Sequence, residues 1–127
     1  MSKLLSRAEV ALDNAEHNYG RIGVDDCYLD ACCYNLQQAI ELSLKFLVEM
    51  TGQQYAENHD IRANLNILNK VGYNVSNEKE LRNMDSTLYS WETESRYRDS
   101  FIAAIEDVED AFGYARALVK EARDKIS

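Results

Sequence analysis

The chain has 127 residues, of which 46% are hydrophobic and 28% charged, and this composition predicts one globular domain over residues 1–127. It has no apolar run long enough to span a bilayer and no signal-peptide core at its N-terminus, so a membrane protein is excluded and a cytoplasmic location is expected. A net charge of −8 and a pI near 4.7 argue against an extended surface for duplex DNA or structured RNA, but leave room for one local pocket that binds a nucleotide or a strand end.

The first predicted helix runs from about residue 2 to residue 19. Leucine and alanine recur at helical spacing on one face, at Leu4, Ala8, Ala11 and Ala15. Because most of these side chains are small, this face can approach a neighbouring helix closely. The glycines at positions 20 and 23 indicate the turn that ends the helix.

The segment from residue 26 to residue 52 predicts a long central helix, since it contains no proline and its only glycine is the last residue. Apolar side chains cover more than half of its circumference in two neighbouring rows, one formed by Leu29, Cys33, Leu36, Ile40, Leu44 and Leu47 and the other by Tyr28, Cys32, Ala39, Phe46 and Met50. The rest of its surface is a polar strip, either solvated or part of a functional site, that consists of Asp30, Tyr34, Gln37, Gln38, Glu41 and Lys45.

All three cysteines of the chain, Cys27, Cys32 and Cys33, also lie in this segment. An odd number of cysteines on one helix, where neighbours point in different directions, gives no disulfide framework. Metal binding would need further ligands that the sequence does not show. We therefore interpret these thiols as small buried apolar groups.

Two shorter helices are predicted after Gly52. The first carries Ile61, Leu65 and Leu68 on its inner face, with Asn58 or Asp60 as its N-cap, and Gly72 ends it. The second follows a capping box of Asn77 and Glu80, ends near Ser95, and has one apolar row formed by Leu81, Met84, Leu88 and Trp91.

The last predicted helix has the most regular pattern, because its apolar side chains alternate in steps of four and three at Phe101, Ile105, Val108, Phe112, Ala115, Val119, Ala122 and Ile126. Such a seam is typical of helices that pack nearly antiparallel. Long helices with short connections predict an all-α fold, an up-and-down bundle of four to five helices, and no strands are predicted.

Glu41 and Lys45 are the first candidates for a functional site. They are four residues apart in the order that favours an ion pair on a helix surface, and that pair is the simpler interpretation. Gln38 lies one turn earlier on the same side. His59, in the connection that follows the central helix, is either a turn residue or a polar group that faces the polar strip.

A second candidate is the segment Arg96-Tyr97-Arg98, in which two guanidinium groups flank one aromatic ring. Arginine suits phosphate through its planar set of donors, and tyrosine gives a base a face for stacking. The alternative is that these arginines only form surface ion pairs, Arg96 with Glu92 or Glu94 and Arg98 with Asp99.

Several catalytic and cofactor sites are absent from the sequence. A di-iron bundle needs Glu-x-x-His on two helices, but the residues three positions before His17 and His59 are Asn14 and Ala56. No P-loop, hydrolase or dinucleotide-binding motif occurs. We therefore expect no metal and no cofactor.

The chain resembles the HEPN family of small helical-bundle proteins at three places. The segment from Ala31 to Gly52 is similar to the family's helix with the pattern Ala…Gln-Gln-Ala-x-Glu-x-x-Leu-Lys-x-Leu…Gly. His59-Asp60-Ile61 is similar to the His-Asp-Leu that opens the family's next helix, and Arg96-Tyr97 to its Arg-Tyr-Pro before a long final helix.

This resemblance implies a non-catalytic module that binds a nucleotide or nucleotide-like ligand, works with a minimal nucleotidyltransferase in a toxin–antitoxin-like context, and forms a homodimer. It implies a site in which Lys45 and Arg96 hold phosphate, Tyr97 stacks on the base, and Gln38 and Glu41 read its polar edges, with His59 alongside. The alternative is a structural or dimerisation protein that binds no ligand.

Two departures from the family pattern matter. Arg98 stands where the family has proline, so the local turn is expected to differ. The ribonuclease branch carries arginine four to six residues before histidine, and neither His17 nor His59 has an arginine in that window. Since RNA cleavage of that kind needs both groups, a ribonuclease toxin is disfavoured.

Overall fold

The computed structural model describes residues 2–126, and every regular element in this range is an α-helix. The helices are α1 (Leu4–Tyr19), α2 (Cys27–Met50), α3 (Ile61–Lys70), α4 (Glu78–Asn83), α5 (Asp85–Glu94) and α6 (Ile105–Asp124). The protein is therefore the all-α bundle that the sequence predicts. Within residues 2–126, no helix is both long enough and apolar enough to cross a membrane.

The helix α2 lies at the centre of the bundle and packs against α1, α3, α5 and α6. Most of the side chains in its two apolar rows are fully buried, which confirms the predicted central helix. The exceptions lie at its ends: Tyr28 and Leu29 are half-buried, and Met50 is exposed.

The helices α1 and α6 cover two sides of α2. The small residues Ala8, Ala11 and Ala15 of α1 are buried, as their spacing predicts. The ring of Tyr19 meets the ring of Phe112 edge-on, with centroids 5.3 Å apart, where α1 and α6 contact each other. Ion pairs of Arg116 with Glu16 and of Arg123 with Glu9 join the outer surfaces of these two helices.

The start of the last helix differs from the prediction. Residues 101–104 have no helical structure, and α6 begins at Ile105 because the backbone of Ala104 is extended, with φ −78° and ψ 132°. Phe101 therefore precedes the helix, and Ile105 and Ile126, at its two ends, are exposed. The middle of the predicted seam is buried, and Ala111 and Leu118 are buried beside it.

The predicted capping box at Asn77 is wrong. Asn77 adopts a left-handed conformation with φ 60°, and its side chain makes no cap hydrogen bond. The side chain of Asp60, by contrast, accepts a hydrogen bond from the backbone N–H of Arg62 at 2.8 Å, so Asp60 is the N-cap of α3. This result settles the choice between Asn58 and Asp60.

The helices α4 and α5 follow each other with one residue, Met84, between them. The N–H of Met84 donates to the carbonyl of Glu80, and the carbonyl of Met84 accepts from the N–H of Leu88. The two segments therefore continue as one irregular helix, and the four residues of its predicted apolar row are buried.

Candidate functional site

The polar strip of α2 is largely buried rather than solvated. Gln37 is completely inaccessible, Glu41 is 3% exposed and Lys45 is 8% exposed, whereas Gln38 is half-buried. The ammonium of Lys45 lies 5.4 Å from the ring centroid of Tyr55, in the connection between α2 and α3. The part of the strip formed by Gln37, Glu41 and Lys45 is therefore in the protein interior, and its charges need partners inside the fold.

The carboxylate of Glu41 is the centre of this buried set. Its Oε2 accepts a hydrogen bond from Lys45 Nζ at 3.2 Å, and its Oε1 accepts one from Gln37 Nε2 at 2.9 Å. Gln38 Nε2 in turn donates to Gln37 Oε1 at 2.8 Å. Glu41 Oε1 also lies 2.9 Å from His59 Nδ1. An ammonium ion and several hydrogen bonds thus offset the desolvation of this carboxylate.

His59 joins the carboxylate of α2 to a second carboxylate on α5. Its Nδ1 lies within hydrogen-bond distance of Glu41 Oε1, whereas its Nε2 lies 3.8 Å from Glu92 Oε1, which is too far for a hydrogen bond. The connection that carries His59 is fixed on both sides of it, because Asn64 bonds to the backbone N–H and C=O of Ala56 and Asp60 caps α3. The ring is nevertheless 49% exposed, so one edge of it faces solvent.

Glu92 also belongs to this group of buried polar side chains, although it was not among the predicted site residues. It is buried on α5, and its Oε1 lies 3.3 Å from Arg96 NH2. The sequence feature that pointed to Glu92 was its position four residues before Arg96, and this spacing predicted only a surface ion pair. The burial of Glu92 and its proximity to His59 make this pair the link between the central helix and the turn after α5.

Hydrogen bonds and an ion pair join the α2 groups to His59, and a second ion pair, whose carboxylate lies 3.8 Å from His59, joins Glu92 to Arg96. We call this set the polar network: Gln37, Gln38, Glu41, Lys45, His59, Glu92 and Arg96. It contains five of the six predicted site residues, and the sixth, Tyr97, contacts Arg96. Lys45 and Arg96 nevertheless lie at opposite ends of the network, since Lys45 pairs with Glu41 and Arg96 with Glu92.

The exposed end of the network is an arginine held between two aromatic rings. The guanidinium carbon of Arg96 lies 4.1 Å from the ring centroid of Tyr34 and 4.9 Å from that of Tyr97. Tyr97 is 72% exposed, so much of its ring is open to solvent. Tyr34 belongs to the polar strip but was not among the predicted site residues.

Arg96 and Tyr97 line an open cleft of about 430 Å³, which we call the arginine cleft. Its lining residues come from the start of α2 and from the turn after α5: Cys27, Asp30, Ala31, Ser95, Arg96, Tyr97, Arg98 and Asp99. Arg98 NH1 donates to Glu94 Oε1 at 2.6 Å. Hydrogen bonds from Ser90 and then from Arg98 lower the pKa of Glu94, so this carboxylate stays ionised and holds Arg98 in position.

A second cleft, of about 580 Å³, is lined by His59 itself together with Asp60, Asp85 and Tyr89. Burial, followed by the neighbouring carboxyl of Asp60, raises the pKa of Asp85 to about 6, although Arg62 pairs with Asp85 at 3.2 Å. Within residues 2–126, no group of three or more His, Cys, Asp and Glu side chains is arranged to hold a metal ion.

Two of the three cysteines, Cys32 and Cys33, lie in the core as small apolar groups. Cys32 and Cys33 are inaccessible, and burial raises the pKa of both thiols, that of Cys32 to about 12. Cys27, at the first position of α2, is exposed. Hydrogen bonding to Asp25 raises the pKa of its thiol as well.

The arrangement of helices, with histidine after the central helix and an Arg-Tyr pair before the last one, has the features of the family that the chain resembles. The family model of the HEPN domain matches residues 1–125. The chain belongs to the HEPN family. The match spans the polar network and the arginine cleft of this HEPN domain together. Neither a curated protein nor a solved structure gives a significant match to the chain.

Proposed function

We propose that this HEPN domain is a non-catalytic module that binds a nucleotide or nucleotide-like ligand in the arginine cleft. The observation that carries the proposal is the position of Arg96, whose guanidinium lies between Tyr34 and Tyr97 at the edge of an open cleft. A guanidinium fixed in this way has lost much of its side-chain freedom before a phosphate arrives. The exposed ring of Tyr97 offers a stacking face for a base.

The buried part of the polar network acts in this proposal as a support rather than as a contact surface. Glu41 and Lys45 neutralise each other away from solvent, with Gln38 bonded to Gln37 beside them. Arg96 is positioned directly by Glu92 and by the rings of Tyr34 and Tyr97. Lys45 is too deeply buried to hold a phosphate, so we assign this role to Arg98, which lines the cleft with Arg96. His59 does not line this cleft.

The non-catalytic part of the proposal follows from the surroundings of His59. Its Nδ1 is bonded to Glu41, and its Nε2 faces the carboxylate of Glu92. RNA cleavage of the kind found in the ribonuclease branch also needs an arginine four to six residues before the histidine, and His59 has none in that window. We extend the proposal to a cytoplasmic homodimer that works with a minimal nucleotidyltransferase, which rests on the family resemblance.

Isothermal calorimetry with AMP, ATP, GMP, GTP and a short single-stranded RNA tests the proposal. We expect heat with at least one nucleotide at millimolar concentration or below, and a loss of about tenfold or more in affinity for Arg96→Ala. Arg116→Ala is the matched control, because Arg116 also pairs with a glutamate and stacks on an aromatic ring, but on the α1–α6 surface. No heat with any ligand would remove the binding proposal.

That negative result would favour the second candidate function, a structural or dimerisation module without a ligand. The burial of the Glu41–Lys45 pair supports this candidate, since buried ionic groups can serve to specify one packing arrangement. The two functions differ in the behaviour of Arg96→Ala. Both roles predict some loss of stability, because Arg96→Ala leaves the buried carboxylate of Glu92 without its cation. Only a ligand-binding role also predicts a nucleotide affinity that Arg96→Ala lowers, and only a structural role predicts a changed oligomeric state.

A further inference from the structure

One carboxylate in the arginine cleft has no partner in the part of the chain that the structure describes. Asp30 lies one turn into α2 and is half-buried, yet its side chain makes no hydrogen bond or ion pair with any residue of the range 2–126. Burial, followed by the charges of Asp26 and Asp25, raises the pKa of its carboxyl. The carboxylate of Asp30 is therefore an acceptor in the lining of the cleft that receives no hydrogen bond from the described residues.

The other walls of the cleft are chemically different. Arg96 and Arg98 supply N–H donors for an anion, and Tyr97 supplies an exposed ring. Both arginines already have a carboxylate partner, Glu92 for Arg96 and Glu94 for Arg98. Asp30 and Asp99 balance the charges of the two arginines within the cleft lining, so a ligand with one phosphate group is repelled less than a ligand with three. The volume of about 430 Å³ falls in the range of small-molecule pockets.

An ionised carboxylate has two oxygens that only accept, so it recognises two adjacent N–H donors on a planar group. Among the common bases, guanine alone presents such a pair, at N1–H and the 2-amino group. Adenine presents an acceptor at N1, which a carboxylate would repel. Cytosine presents one amino group next to an acceptor. The unpartnered carboxylate beside an aromatic face and two guanidinium groups therefore discriminates between bases.

We infer that the arginine cleft is a site for a guanine mononucleotide, with the base on Tyr97, its N1–H and 2-amino group donating to Asp30, and its phosphate on Arg96 and Arg98. The inference rests on the proposed function and adds to it the identity of the base. The sequence placed Asp30 in the polar strip without a role. The inference makes Asp30 the residue that determines the specificity for the base.

The test compares three ligands on the full chain by calorimetry: GMP, IMP, which lacks the 2-amino group, and AMP, which lacks both donors. We expect GMP to bind about tenfold more tightly than IMP, since one well-placed hydrogen-bonding pair discriminates by that factor. GMP should bind more tightly than AMP by at least the same factor. Asp30→Asn should lose about tenfold in affinity for GMP and should retain or improve its affinity for AMP.

Asp26→Asn is the matched control, because Asp26 lies one turn earlier, is exposed, makes no cap hydrogen bond and carries the same charge. If GMP and AMP bind equally, or if Asp26→Asn and Asp30→Asn change the affinity for GMP alike, the guanine inference is wrong while the proposed function stands. If no nucleotide binds, both fail. The comparison of GMP, IMP and AMP on the unaltered protein decides the matter even if Asp30→Asn does not fold.

Discussion

The ion pair of Glu41 and Lys45 is the part of the polar network whose energetics can be tested most sharply. Both side chains are buried, and their charged atoms lie 3.2 Å apart. Glu41→Leu would leave the ammonium of Lys45 buried without a carboxylate and would remove the acceptor of Gln37 and His59. Breaking a buried ion pair from one side costs about 3–5 kcal/mol, so we expect a loss of unfolding free energy in that range.

Lys45→Met should cost less, about 2–3 kcal/mol, because Gln37 and His59 would still donate to the remaining carboxylate. The double variant replaces both charges by apolar groups of similar length. It should therefore be more stable than the sum of the single effects predicts, with a coupling free energy of about 2 kcal/mol or more.

Urea unfolding of the four proteins, followed by the fluorescence of the buried Trp91, gives this coupling free energy. Lys120 and Asp124 provide a control with the same spacing on α6, since their charged atoms lie 3.0 Å apart but both side chains are largely exposed. Their coupling should be about 0.5 kcal/mol or less. Single effects below about 1 kcal/mol, or a coupling equal to that of the control pair, would refute the view of Glu41 as the centre of a buried network.

Three further predictions follow from the pKa shifts and from the site. Because the folded state holds the pKa of Asp85 near 6, above its usual 3.8, ionisation of Asp85 as pH rises from 4 to 7 should lower stability by about 1 kcal/mol after allowance for solvent screening. Urea unfolding at each pH should show that Asp85→Asn removes this contribution, and an identical pH dependence in both proteins would contradict this. In native protein, iodoacetamide should label the exposed Cys27 and spare Cys32 and Cys33, as mass spectrometry of peptides would show, unless the buried thiols react at the same rate. Purified protein should not cleave single-stranded RNA, and cleavage that His59→Ala abolishes would overturn the non-catalytic assignment.

The helices could be predicted from the sequence because their apolar periodicity is strong and continuous. The spacing of residues alone predicted the two apolar rows of α2 and the alanine-rich face of α1, and most of these side chains are buried. The end of a helix depends on one or two backbone angles, and spacing does not report these. That is why α6 was predicted to begin at Phe101 rather than Ile105, and why a capping box was predicted at Asn77, which has a left-handed backbone.

The site was harder to predict because burial of a polar side chain depends on distant segments. Glu41 and Lys45 have the spacing of a surface pair, and only the packing of other segments over α2 places them inside. Glu92 was considered only as a surface partner of Arg96, since nothing in its local sequence indicates the approach of His59. The stacking of Arg96 on Tyr34 likewise joins residues far apart in sequence.

The most direct test of the account is a ¹⁵N–¹H NMR titration of the protein with GMP, with observation of the arginine side-chain Nε–H signals. Binding in the arginine cleft predicts shifts for Arg96 and Arg98, and none for the control Arg116, which does not line this cleft and pairs with Glu16 on α1. Unchanged Arg96 and Arg98 signals at millimolar GMP and AMP, or shifts confined to other arginines, would contradict the claim that this cleft is the ligand site.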